Sequence, residues 1–133
     1  MELTHRQRLE RTLSGEKPDR TPVAFWHHFP VDDQYPETLA KATLAFQKHF
    51  DFDLVKVMPP SSFCLKDWGV EDEWRGNPEG TREYTRRAIQ TPEDWQDLPI
   101  LDPKAGSLGK QLTCLEILKK ELGDYTLYIQ TIF

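Results

Sequence analysis

The sequence has 133 residues, of which 38% are hydrophobic, 29% charged and 11% aromatic, so it holds one small domain at most and is too apolar to stay disordered. Its net charge is −5, and no cluster of Lys and Arg accompanies an aromatic platform, which argues against nucleic acid or an anionic membrane as a partner. Met1-Glu2-Leu3-Thr4-His5-Arg6 opens no apolar leader, and no run approaches the ~20 apolar residues of a membrane span, so the expected location is the cytoplasm.

Residues 1–20 read as a helix and a loop. Thr4 and Gln7 form a capping box, Leu9 and Leu13 share a face, and Gly15 is a natural stop before the loop from Gly15 to Pro22. Residues 21–58 read as a βαβ unit with parallel strands. The apolar run Val23-Ala24-Phe25-Trp26 predicts a buried strand. A helical period starts at Pro36, with Leu39, Ala42 or Thr43, Phe46 and Phe50 facing inward and Lys41, Gln47 and Lys48 outward. Asp53-Leu54-Val55-Lys56-Val57-Met58 predicts the second strand, stopped by Pro59-Pro60.

Residues 59–105 break that rhythm. Val70 to Arg75 and Thr81 to Arg87 flank a turn from Gly76 to Gly80, which predicts an antiparallel hairpin with one acidic and one basic arm joined by charge pairs. Thr91 and Pro92 start a short helix. In residues 106–133, Leu108, Leu112, Leu115, Leu118 and Leu122 keep a helical stripe that Gly123 ends, and Leu127 to Phe133 predict a third strand. An open parallel sheet of about three strands exposes its edges. The expectation is therefore an α/β fold that forms the amino-terminal piece of a longer enzyme, with a non-catalytic standalone domain as the reading from another class.

In parallel α/β folds the reactive groups gather beyond the carboxyl ends of the strands. That places Trp26, His27 and His28 after the first run, and Lys56 with Ser61 and Ser62 at the second. His27 and His28 are fit to carry protons or to bind a carboxylate, but neighbours on an extended strand face opposite ways. The plainer alternative is one hydrogen-bonded structural histidine beside a surface one. Lys56, between Val55 and Val57, must meet a carboxylate or reach a wet lumen where it would bind an anionic group. The substrate-binding candidates are thus Trp26, His27, His28 and Lys56, with a small anionic substrate as partner. No spacing of Cys, His and Asp supplies a metal site, and Cys64 and Cys114 are expected as two unpaired thiols. Ser61, Ser62 and Cys64 lack a nucleophile elbow, and the Gly76–Gly80 turn lacks the Lys-Ser/Thr of a phosphate loop.

The opening helix followed by Gly15-Glu16-Lys17-Pro18-Asp19-Arg20-Thr21-Pro22-Val23 resembles the start of the uroporphyrinogen decarboxylase family. Ile89-Gln90-Thr91-Pro92-Glu93-Asp94-Trp95, with Leu98-Pro99 and Leu101-Asp102-Pro103, is similar to that family's next recurring segment. The resemblance spans essentially the whole chain. It implies the amino-terminal portion of a (β/α)₈ barrel and a cofactor-free decarboxylation of acetate side chains on a tetrapyrrole, and it leaves room for a homodimer. Where the family carries an Arg-Gln-Ala-Gly-Arg run, this chain reads His27-His28-Phe29-Pro30-Val31, and no Asp lies near Pro59-Pro60-Ser61. The resemblance therefore implies a member that departs from strict uroporphyrinogen decarboxylation. Its superfamily also includes corrinoid-linked methyltransferases that bind zinc.

Overall fold

The computed structural model describes residues 2–133. Helix α1 (His5–Leu13) starts on the capping box, in which Thr4 Oγ1 accepts from the Gln7 amide and Gln7 Oε1 accepts from the Thr4 amide. Helix α2 (Pro36–Phe50) begins at a proline and ends on Asp51, whose backbone is left-handed. Strand β1 (Leu54–Val57) follows at once. A hairpin of β2 (Glu71–Glu73) and β3 (Glu83–Arg86) comes next, then a 3-10 turn over Pro92–Asp97, helix α3 (Gly106–Leu122) and strand β4 (Leu127–Gln130).

β1 and β4 pair in parallel, with Leu54 opposite Leu127 and Val57 opposite Gln130, and the Thr131 amide extends the ladder to the Val57 carbonyl. The parallel βαβ unit of the structure is therefore β1–α3–β4. α2 and α3 pack over its core of Leu39, Ala40, Val57, Cys114 and Leu118.

Three expectations are corrected. Val23 to Trp26 form no strand, which leaves two paired parallel strands rather than about three. One backbone bond, from the Asp53 amide to the Val23 carbonyl, joins this run to the foot of β1, and the Asp53 carboxylate takes the Val23 N–H. In α2 the buried face is Leu39, Ala40, Thr43 and Gln47, while Phe50 is exposed. Gln47 is buried because its amide donates to the Phe52 carbonyl at 2.7 Å. In α3 the buried face is Gln111, Cys114 and Leu118, and Leu112 points outward.

The hairpin has the expected charge pairs, Arg86–Glu71 at 3.2 Å and Arg75–Glu83 at 2.9 Å. Both pairs are exposed and worth at most about 1 kcal/mol each. Both cysteines are free, Cys64 half-buried and Cys114 buried. No helix among the described residues is long and apolar enough to cross a membrane.

Candidate functional site

Two charged clusters occupy opposite ends of β1. At its amino end, Asp53 is fully buried and accepts from Arg8 Nη1 at 2.6 Å, Arg20 Nη1 at 2.6 Å, His5 Nδ1 at 2.9 Å and the Val23 amide at 2.7 Å. Every acceptor position is filled by protein, and in parallel α/β folds this end reads as stability.

At the carboxyl end the chain turns at Met58-Pro59-Pro60 and places Ser62 and Lys66 beside the hairpin. Asp72 of β2 is the hub. Ser62 Oγ donates to its Oδ2, Arg82 Nε to its Oδ1 at 2.6 Å, and Lys66 Nζ to its Oδ1 at 3.3 Å. Burial raises the pKa of this carboxyl, but the donors from Ser62, Arg82 and Lys66 outweigh it and hold Asp72 below its ordinary range. Arg82 also donates to the Pro30 carbonyl at 3.0 Å and approaches Asp33 Oδ1 at 3.9 Å, tying the hairpin across the loop that carries His28 and Asp33.

Asp33 is the unusual member. It is only 3% exposed, its Oδ1 accepts from Gln34 Nε2 at 2.5 Å, and nothing donates to its buried Oδ2. Burial pushes this carboxyl above its ordinary range, against the pull of Gln34, Arg82, His28 and Lys66. His28 stands close by, with a buried Nδ1 that has no partner. Burial lowers its pKa, the Asp33 charge opposes that, and His27 and Lys56 add to it. Gly80, at φ +78°, presses against His28 so closely that a Cβ there would overlap the His28 Cβ. The mouth, the space beyond the carboxyl end of β1, therefore holds an imidazole nitrogen without a partner near a carboxyl oxygen without a donor, burial lowering the pKa of the first and raising that of the second.

The four candidates read from the sequence separate into two places. Lys56 Nζ lies 4.3 Å from the centre of the Trp26 ring, a cation–π contact, and makes no ion pair among the described residues. The His27 ring packs on Phe29 and Phe46 at 4.2 and 4.7 Å, with Nδ1 2.8 Å from the His28 carbonyl oxygen. The cavity these three residues line measures about 10 Å³, room for about one water. Only His28 joins the Asp33 mouth. Asp33, Lys66, Asp72 and Arg82 escaped sequence reasoning because they come from separate segments and form no motif. Ser62, which the sequence places beyond the second strand without a nucleophile elbow, enters the cluster as a donor to Asp72.

No group of three His, Cys, Asp or Glu side chains among the described residues could hold a metal ion.

No family model and no curated protein matches the sequence. Among solved structures, the fold is shared with a methyltransferase from Methanosarcina mazei, at a TM-score of 0.74 and 19% identity over 97% of this chain. The chain spans 42% of the length of that protein. At this identity the likeness establishes the fold: a mixed α/β arrangement with parallel strands and a small antiparallel sheet.

Proposed function

We propose that these residues form the amino-terminal portion of a barrel enzyme that transfers a methyl group. The observation that carries this reading is the backbone shared with the Methanosarcina methyltransferase over nearly the whole chain. The position of the polar mouth, beyond the carboxyl end of β1, supports it, because barrel enzymes hold their reacting groups there. In this reading His28 and Asp33 hold and move a proton on the substrate, and the Asp72 hub keeps the hairpin closed over them. Trp26, His27 and Lys56 wall the neighbouring part of the mouth, with Lys56 as the cation nearest an anionic substrate group.

Decarboxylation of a tetrapyrrole is the second reading, supported by the residue pattern from Gly15 to Val23. It requires several cations for acetate side chains, whereas Arg82 and Lys66 both face Asp72 and Lys56 lies over Trp26.

The test uses the product of the whole reading frame that encodes these residues. It is incubated with ¹³C-methylcobalamin and a free thiol, and separately with carboxyl-labelled uroporphyrinogen. Methyl transfer predicts a ¹³C-methyl thioether in the first reaction and no labelled CO₂ in the second. Labelled CO₂ without thioether would replace the methyltransferase reading with the decarboxylase one.

A further inference from the structure

A second buried oxygen near Asp33 has no donor. Gln111, on the buried face of α3, is 8% exposed, and its Oε1 is unpartnered. Asp33 and Gln111 both wall one cavity of about 50 Å³, to which Lys66, Ser107 and Lys110 also contribute. A buried acceptor without a donor costs about 1–3 kcal/mol, so two on one cavity mark a place built to receive hydrogen-bond donors from something else. The first turn of α3 is not that something, because the Asp67 carboxylate already caps it, accepting from the Ser107 amide at 2.8 Å and the Leu108 amide at 3.4 Å.

The cations on the same wall define the rest of the ligand. Lys66 Nζ reaches Asp72 at 3.3 Å, and Lys110 Nζ lies 5.7 Å from the Tyr35 ring without a carboxylate partner among the described residues. An ammonium ligand would satisfy the two oxygens but would meet both lysines. A bare carboxylate would suit the lysines but would leave both oxygens without a donor. A small molecule that carries a hydroxyl beside a carboxylate gives one of the two oxygens its donor and the lysines an anion, and a cavity of this volume admits little more than a two- or three-carbon acid.

We propose that the cavity between the Asp33 loop and α3 binds the hydroxy-carboxylate portion of a small substrate, its hydroxyl donating to Gln111 Oε1 and its carboxylate facing Lys110 and Lys66. The inference deepens the proposed function, since it rests on the mouth being a substrate site and names the class of group held there.

The experiment compares glycolate with acetate, which lacks the hydroxyl, by ligand-observed NMR on the product of the whole reading frame. Glycolate is expected to bind about tenfold more tightly than acetate, the loss expected when buried acceptors go without a donor. Gln111→Leu should bring glycolate down to the acetate level. Lys110→Met, at an exposed position, should weaken both acids and preserve their ratio, and it keeps the test informative if the buried substitution fails to fold. Equal affinities would show that nothing in the cavity reads the hydroxyl, no binding of either acid would show that it serves water alone, and either result would overturn the inference. Glycolate binding without methyl transfer would sink the proposed reaction and leave this site standing.

Discussion

Asp53 is fully buried, and its donors come from α1, from the loop before residue 23 and from the backbone of residue 23 itself. Removing the carboxylate leaves Arg8 Nη1, Arg20 Nη1 and the Val23 N–H without their acceptor, and Arg8, only 2% exposed, keeps Asp19 as its remaining carboxylate partner. Asp53→Ala is expected to cost about 3–5 kcal/mol in urea unfolding, the usual loss when one partner of a buried pair is deleted. Arg20→Ala, at a half-exposed position, should cost about 1 kcal/mol. The same carboxylate sets a pH dependence. Burial raises its pKa, but the bonds from Arg20, His5, Val23 and Arg8 reverse that and hold it well below the ordinary range. A depressed folded pKa means stability that is present above the unfolded value of about 3.9 and is lost as pH falls below it. Unfolding midpoints should therefore drop steeply in acid, and the drop should shrink in Asp53→Ala. An unchanged acid slope in that variant would assign the dependence to Asp72 and Asp19 instead, whose carboxyls are also lowered.

At the scale of elements, the hairpin is the part most directly coupled to the mouth. Arg82 pins it to Asp72 and to the Pro30 carbonyl, and Gly80 lets its turn descend onto His28. Gly80 carries a positive φ and has no room for a side chain, so Gly80→Ala must lift the turn or displace the His28 loop. The expected result is a loss of about 1–3 kcal/mol together with a rise in the His28 pKa toward its ordinary value, followed by NMR titration. A variant that is destabilised while His28 titrates as before would uncouple the hairpin from the mouth. The elements themselves were largely legible, because their signals are local. Thr4 with Gln7, Thr91 with Pro92, and Gly123 each act within a few residues. In α2 the buried face lies one position from the hydropathy stripe because Gln47 donates to the Phe52 carbonyl, a partner that hydropathy does not see. The mouth was mostly hidden for a different reason. Asp33, Ser62, Asp72 and Arg82 are brought together by the hairpin folding back across two loops, and a sequence carries no spacing for that. Val23 to Trp26 have the composition of a strand, but one buried aspartate upstream of β1 consumes the N–H that would begin the ladder.

For the whole molecule, the decisive feature is how much apolar surface lies along its open side. Phe25, Ile132 and Phe133 are more than half exposed, and Trp26 and Ile129 are close to half exposed. They come from the unpaired run at residues 23–26, from β4 and from the residues just after it, so the exposed side chains accompany a sheet of only two parallel strands. Soluble monomers rarely leave large apolar side chains together beside unpaired strand backbone, since both invite pairing with another chain. The 133-residue chain on its own should therefore self-associate and enhance the fluorescence of an apolar dye. Replacing exposed Ile132 and Phe133 by Lys should reduce both effects without loss of helical signal, because neither side chain belongs to the core around Leu39 and Leu118. Sedimentation velocity over a concentration series, run alongside the dye measurement, checks this. A concentration-independent monomer that leaves the dye dark would mean that the open side is self-sufficient, and it would favour a standalone domain over one portion of a barrel.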